Sequence, residues 1–347
     1  MSDKSIHISN PVSGWSTSVP VLRYAFGATF LLAVSSLWSY DLSYLTPVLA
    51  LGYIAPGVKP LTFKQASSFL LILTIVSVIT VLVSGMLLEY PLVFMPVLLL
   101  SLLWTYYGLD RSMIIKVFIL ISILVIPFVS IDAIAIGSYI GVNLIVNALM
   151  AIVLTQIVFL FFPWSEADEF YVKSQPPAPA RSDKDRFISA LNILIILTPV
   201  IIIFYTFQLT SSLLSMIFIG ILSISPALAN PKVGLVLIIA NIFGGMIAIF
   251  AFHLLTIVPS YIFMLLLVLS AGLIIATRVF SDNKFGPVFK SGFSTFLLIL
   301  GDVTSSDAEA GTEVWIRVFQ ISTAVIYVVL AFRLLNYFEK NKISRSR

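Results

Sequence analysis

The sequence contains no cysteine, only two histidines, and few charged residues, since Asp, Glu, Lys and Arg make up 10% of its 347 residues. The absence of cysteine excludes disulfide bonds, thiolate metal sites and cysteine nucleophiles. Two histidines, His7 and His253, are too few for a histidine-rich metal centre, so we predict neither a metal nor another cofactor. A Gly-x-x-x-x-Gly-Lys-Ser/Thr motif is also missing, which argues against ATP hydrolysis by this chain.

Apolar residues are abundant instead: 59% of the chain is hydrophobic and its mean hydropathy is +1.08. Soluble domains contain about 25% charged residues, and a water-exposed globule of this composition would carry large apolar patches. The composition therefore predicts an integral membrane protein whose solvent is the lipid bilayer. Residues 1–20 are polar and lack the apolar core of a cleavable signal peptide, so we predict a cytoplasmic N-terminal segment there.

Apolar runs predict an all-α protein with about twelve transmembrane helices, because a helical span needs about 20 apolar residues. A first six-helix half covers 21–163, a cytoplasmic linker 164–186, a second six-helix half 187–338, and a basic cytoplasmic tail 339–347. The predicted spans are roughly 21–38, 44–55, 65–88, 92–107, 113–129, 134–162, 187–207, 211–228, 233–255, 261–277, 289–300 and 314–338.

The second predicted span is short and contains Pro47, and its counterpart in the second half carries Pro226 and Pro231. Proline frees a backbone carbonyl, which must find another partner in lipid. Two interpretations stay open: a kinked or re-entrant helix that completes the packing, or a broken helix that lines a substrate cavity.

The distribution of charge predicts the orientation of the chain. With twelve spans and a cytoplasmic N-terminus, 19 of the 20 Lys and Arg residues fall in cytoplasmic segments, and Arg317 is the exception. The outer loops carry acids, among them Asp132 and Asp302. The positive-inside rule explains this pattern and predicts that both termini are cytoplasmic. Basic residues scattered over short loops do not indicate a nucleic-acid partner.

The two halves look related. Lys64 precedes Pro91 by 27 residues and Lys232 precedes Pro259 by the same number, while Lys116 and Lys290 each open a fifth helix. An even number of spans per half makes such a repeat parallel, with its pseudo-axis along the membrane normal.

Several features of the first half resemble a known family. Arg23 starts an apolar helix; Thr46-Pro47 and Ala55-Pro56-Gly57 mark a short second one; Lys64 opens a long third helix; and Phe161-Phe162-Pro163-Trp164 ends the sixth. This pattern resembles the fusaric acid resistance superfamily of bacterial inner-membrane proteins, and within it a compact branch known as a domain of unknown function. The resemblance implies efflux of aromatic carboxylic acids and a periplasmic adaptor protein as a partner; a homo-oligomer is left open.

Arg317 is the candidate binding residue with the clearest chemical reason. It would lie about one helical turn inside the membrane from the outer face, where a cation needs a partner or a cavity. It can bind a substrate carboxylate bidentately, with Gln320 one turn away. Alternatively, Arg317 is structural and pairs with Glu313 on the same helix face.

Other polar residues inside predicted spans are weaker candidates. An offset of 174 between the halves maps Arg317 onto Asn143, which shares a helix face with Asn147; the two amides predict either a substrate site or helix-to-helix hydrogen bonds. His253 predicts either a proton-coupling group or an interfacial side chain. Asp302 is predicted to be a solvated loop acid rather than a proton carrier.

The sequence thus predicts a secondary transporter that uses the proton gradient to export small organic anions, among them aromatic ones. A passive anion channel and a non-transporting membrane scaffold remain alternatives. A membrane enzyme ranks lowest because such enzymes cluster acids, histidines or metal ligands at one membrane face, so we expect no enzymatic activity.

Overall fold

The computed structural model describes residues 14–38, 40, 42–108, 113–174, 182–209, 215–216, 219–220, 223, 231–281, 286–305 and 310–345. Within these ranges all regular secondary structure is helical. The helices are α1 (Gly14–Trp38), α2 (Leu45–Ala50), α3 (Phe63–Leu87), α4 (Pro91–Gly108), α5 (Met113–Val129), α6 (Ile134–Phe161), α7 (Glu166–Ser174), α8 (Asp183–Phe207), α9 (Pro231–Ile257), α10 (Tyr261–Val279), α11 (Gly286–Ser305) and α12 (Ala310–Arg345).

Seven of the described helices are long and apolar enough to cross a membrane. Their candidate spans are Ser18–Trp38, Phe63–Leu87, Pro91–Gly108, Ile134–Phe161, Asp183–Phe207, Ile239–Ile257 and Tyr261–Val279. Large apolar side chains on their outer faces are exposed, as at Leu92 (92%) and Leu160 (81%). A soluble bundle would carry polar residues there, so lipid is the solvent that fits this surface. The chain is therefore an α-helical membrane protein.

Several boundaries differ from the predicted ones because polar residues extend the helices beyond their apolar lengths. α1 begins at Gly14, within the predicted N-terminal segment, and α12 continues to Arg345 in the predicted tail. The predicted linker contains α7, and α8 begins inside it at Asp183, where the Ser182 side chain caps the helix by accepting from the Asp185 amide. The Pro-rich residues 175–180, residues 1–13 and most of the predicted span 211–228 lie outside the described residues.

The helix ends define two levels of the bundle. We call one the linker end: there Arg23 of α1 contacts Asp168 of α7, just beyond the end of α6. We call the other the opposite end: there Tyr261, at the start of α10, donates to the Ala33 carbonyl at 2.6 Å. α1 therefore runs from the linker end to the opposite end, where α10 begins.

The second predicted span is not a continuous helix. α2 has six residues, about 9 Å of helix, far short of the roughly 30 Å of a bilayer core. After α2, residues 51–62 continue without helix, through Gly57 at φ 73°. Ile54 nevertheless reaches the Gly27 region of α1, where a Cβ would lie 3.1 Å from the Ile54 side chain. The segment from residue 45 to residue 62, which we call the broken passage, thus leads from α1's opposite end back to the linker end.

Helices α9 and α11 pack backbone against backbone at a pair of glycines. A Cβ added at Gly244 would lie 2.1 Å from the Gly292 carbonyl oxygen. Next to this crossing the Thr295 hydroxyl donates to the Asn241 side-chain oxygen, and both residues are buried. Small residues allow membrane helices to pack backbone against backbone, and a polar pair then adds an interhelical hydrogen bond. This contact fixes how α9 and α11 cross.

Candidate functional site

The broken passage is anchored by a chain of buried polar side chains. Asn147 of α6 donates through Nδ2 to the Asn143 carbonyl at 2.8 Å, which leaves its Oδ1 as an acceptor. Thr46 of α2 donates to that Oδ1 at 2.8 Å. The Tyr40 hydroxyl lies 2.5 Å from Thr46 Oγ1, and because Thr46 has used its only proton, Tyr40 is the donor. Thr46 and Asn147 both have 0% exposure, whereas Tyr40 is half-buried, so the inner part of the chain is closed to solvent.

Small residues on α6 explain how α2 comes so close. Ala148 and Ala151 follow Asn147 by one and four residues on the buried face of α6, in the same hydrophobic cluster as Ala50 and Tyr53 of the broken passage. Their short side chains leave room for the backbone of the broken passage. The same face therefore provides both space and an amide partner for α2.

The opposite side of α2 is covered by α11. A Cβ at Gly301 would lie 2.4 Å from the Tyr44 Cβ, so only glycine fits at this contact. The neighbouring Asp302 is 8% exposed. The prediction that Asp302 is a solvated loop acid is therefore wrong: helix α11 continues to Ser305 and carries the carboxylate into the protein beside the start of α2.

The structure brings some predicted site residues together and separates others. Asn143 is 8% exposed and lies one turn from Asn147, but its Nδ2 donates to the Tyr139 carbonyl of its own helix at 3.1 Å. His253 lies on an exposed face of α9, away from the buried amides. Gln320 is half-buried on α12, and its backbone carbonyl accepts from the Ser215 hydroxyl at 3.5 Å.

Arg317 also belongs to helix α12, but its side chain lies outside the described part of the chain. Its predicted relation to Asn143 and its predicted pairing with Glu313 both stay predictions.

A second buried polar group was missed by the sequence analysis, which counted Arg23 among the loop cations. Arg23 has 0% exposure and its Nη2 lies 2.5 Å from Asp168 Oδ1, which is equally buried. Its Nη1 donates to the Pro163 carbonyl at 3.2 Å, and its guanidinium carbon lies 4.7 Å from the centre of the Phe159 ring. A cation inside an apolar run (Pro20–Phe30) could have indicated such a site, since a charge there needs a partner.

An apolar cleft of about 650 Å³ lies between α3, α4 and α5. Its polar lining consists of the Thr80, Ser101 and Thr105 hydroxyls, which donate to carbonyls of their own helices, and of the exposed Trp104. This cleft therefore offers a ligand no charged group. Among the residues that the structure describes, no group of three His, Cys, Asp or Glu side chains could hold a metal ion.

Fold and polar groups together define a helical integral membrane protein with one discontinuous passage. Residues 20–158, which are 139 of the 347 residues, match the model of a family described as a protein of unknown function (DUF2955). The match begins in α1 and ends in α6, so it includes Arg23 and the chain from Tyr40 to Asn147 but not Asp168. No curated protein and no solved structure matches the chain.

Proposed function

We propose that this protein is a secondary transporter of the bacterial inner membrane that moves small organic anions, aromatic carboxylates in particular, and is driven by the proton gradient. The observation that carries the proposal is the broken passage, of which only six residues are helical. In lipid, non-helical backbone is tolerated only where protein buries it or where it lines a water-filled cavity. Transporters commonly form their substrate sites from such interrupted helices near the bilayer midplane.

The polar groups beside the broken passage suit this role. Asn143, Asn147 and Thr46 come from α6 and α2, and Asp302 approaches from α11. An amide and a hydroxyl can donate to a carboxylate once they exchange their present partners. Arg317 remains the proposed outer anion-binding residue, with Gln320 beside it. His253, which lies on an exposed face of α9, remains the proposed coupling group.

We also propose twelve membrane crossings in two parallel six-pass halves. Helix contacts support this arrangement. If the halves are repeats, α1 corresponds to α8 and α4 corresponds to α10. The α1–α10 contact then has its counterpart in the α8–α4 contact, and the structure contains both. The pairs α3–α5 and α3–α6 correspond in the same way to α9–α11 and α9–α12. Gly220 lies against Leu120 and Leu124 of α5, much as α2 lies against α11.

The orientation and the partners follow from the same proposal. The distribution of Lys and Arg favours a cytoplasmic linker end, with both termini on that side. We propose kinship with the fusaric acid resistance superfamily on the strength of the sequence pattern. That kinship would supply a periplasmic adaptor protein, and a homo-oligomer would also be compatible with the apolar outer faces of the helices.

Uptake of benzoate and acetate into proteoliposomes, with and without an imposed pH gradient, tests the proposal. Accumulation above equilibrium that depends on the gradient is expected. Uptake that stops at equilibrium would favour a passive channel, and no flux of either anion would leave a scaffold as the better reading.

A matched pair of variants connects the flux to the site. Thr46→Val should lower the uptake rate about tenfold, the effect of roughly 1.4 kcal/mol on the rate-limiting barrier. Thr29→Val is the control: Thr29 is also buried, at 8% exposure, but donates only to the Ala25 carbonyl of its own helix at 2.9 Å. Equal uptake rates in the two variants would show that transport does not depend on the hydrogen bond that Thr46 makes in the broken passage.

A further inference from the structure

Arg23 is bound to a carboxylate, but only two of the five N–H donors of its guanidinium have hydrogen-bond partners among the described residues. Asp168 contacts Nη2 with a single oxygen, because its other oxygen accepts from the Ser165 amide at 3.0 Å and from the Ser165 hydroxyl at 2.9 Å. Arg23 Nε is buried and has no hydrogen-bond partner among the described residues. A guanidinium binds a carboxylate best in a bidentate fashion, through two parallel N–H groups. Asp168, tied to Ser165, cannot provide that arrangement.

The surroundings of Arg23 suit an aromatic acid. The Phe159 ring lies against the guanidinium at 4.7 Å. The Nε1 of Trp164 is also buried without a hydrogen-bond partner in the described structure, so this donor too could serve a ligand. The exposed Lys59 lies 5.7 Å from the centre of the Trp164 ring and adds positive charge at the entrance. An anion that approaches the linker end would meet cationic and aromatic groups together.

Asp168 belongs to α7, the short helix between the two halves of the chain, whereas Arg23 belongs to α1. The two residues are 145 positions apart in the sequence, and Asp168 is 1% exposed. A ligand can therefore reach Arg23 only when α7 moves away. The ligand would then replace one carboxylate by another, so the charge of Arg23 would stay balanced throughout the exchange.

We propose that Arg23 is a binding site for the carboxylate of an aromatic acid at the linker end, and that Asp168 of α7 occupies this site as an internal competitor when the site is empty. The inference rests on the proposed transport of organic anions and names the group that first receives the anion. Displacement of Asp168 would release α7, so binding would also open the linker end. An intramolecular competitor lowers the apparent affinity by the fraction of molecules in which the site is free.

Equilibrium binding of radiolabelled benzoate to the purified full-length chain in detergent micelles tests the site without requiring transport. Asp168→Asn keeps the shape of the side chain and removes the competing charge, so the Kd for benzoate should fall at least about tenfold. Ser165→Ala leaves the ion pair intact and removes only the hydroxyl that helps to anchor the other Asp168 oxygen, which still accepts from the backbone amide of residue 165. Because Asp168 is then held less firmly beside Arg23, a smaller decrease in Kd is expected. Arg23→Gln should abolish binding in the wild-type and in the Asp168→Asn background.

The exposed ion pair between Arg186 and Asp183 provides matched controls. Arg186→Gln and Asp183→Asn change the same charges in the same part of the chain and should leave the Kd unchanged. If Asp168→Asn does not fold, Ser165→Ala decides the outcome, because it leaves no buried charge unpaired.

The inference would be overturned if folded Asp168→Asn or Ser165→Ala bound benzoate no more tightly than the wild type, or if Arg23→Gln bound it equally well. Binding that depends on Arg23 and Asp168 without any flux in proteoliposomes would support this site and refute the proposed transport. Flux that is insensitive to substitution of both Arg23 and Asp168 would support the proposed transport and refute this binding site.

Discussion

The polar chain from Tyr40 through Thr46 to Asn147 makes a quantitative prediction about the broken passage. Thr46→Val keeps the shape of the side chain but removes the hydroxyl that bridges α2 and α6. Asn147 Oδ1 and the Tyr40 hydroxyl would both lose their partner, and the Asn147 side chain has no exposure to solvent that could replace it. Leaving a buried polar group unsatisfied costs about 1–3 kcal/mol. We expect Thr46→Val to lower the free energy of unfolding by about 1–2 kcal/mol, since the released groups can partly find other partners.

A double-mutant cycle with Asn147→Leu isolates the contact itself. Interhelical hydrogen bonds in membrane proteins show coupling energies of about 0.6 kcal/mol on average and about 1.7 at most. Since Thr46 links three side chains, we expect a value in the upper part of this range, about 1–1.7 kcal/mol. Reversible unfolding in mixed detergent micelles, followed by circular dichroism, would measure all four proteins.

Thr29→Val serves as the control in the same cycle, because the Thr29 hydroxyl bonds only within α1. Its coupling with Asn147→Leu should be zero within the scatter of about 0.3–0.5 kcal/mol seen for independent sites. A Thr46–Asn147 coupling no larger than that scatter would refute the claim that this hydrogen bond holds the broken passage in place.

Three further predictions concern packing, topology and the outer anion site. Gly244→Ala should destabilise the protein by about 1–3 kcal/mol in the same unfolding assay, because the new Cβ would overlap the Gly292 carbonyl. The control is Gly85→Ala, whose new Cβ would have its nearest contact at 3.7 Å and which should be neutral or stabilising. Equal effects of the two substitutions would argue against the tight α9–α11 crossing. Single cysteines introduced at residues 175 and 283 of this cysteine-free chain should react with a membrane-impermeant maleimide only from the cytoplasmic side; external labelling at either one would overturn the proposed twelve-pass topology. Arg317→Ala should abolish anion uptake at unchanged expression, whereas a loss of folded protein without a specific loss of transport would make Arg317 structural.

Sequence patterns predicted the membrane class well because it depends on composition. A chain with 10% charged residues can be solvated only by lipid, and the long apolar runs around Ile134–Phe161 and Asp183–Phe207 correspond to helices close to their predicted limits. The proline at position 47 also indicated an irregular second span, although both a kinked and a broken helix were compatible with it. The structure shows that α2 has only six helical residues and that α6 and Gly301 of α11 supply its contacts, and both interpretations of this discontinuity stay open.

Pairings between distant residues could not be predicted from the sequence. Asn147 was recognised as a polar residue on an apolar helix, but its partner Thr46 lies 101 positions away in the sequence. His253 and Asn147 looked equally suitable as intramembrane polar groups, yet only Asn147 faces the interior. Which side of a uniformly apolar helix faces its neighbours is set by packing, and apolar residues all around leave no amphipathic pattern to indicate it.

Arg23 and Asp302 show the same limit for charged groups. Charge counting assigned both to water-exposed loops, which is the correct default for residues near the end of a span. Arg23 is buried because α7 folds back over it, and Asp302 is buried because α11 and the broken passage meet there. The sequence by itself determined that this protein crosses a membrane as a set of helices, since transfer of apolar side chains into lipid depends on composition and length. Only the tertiary structure decided which polar groups meet inside, because those contacts form between helices that are far apart along the chain.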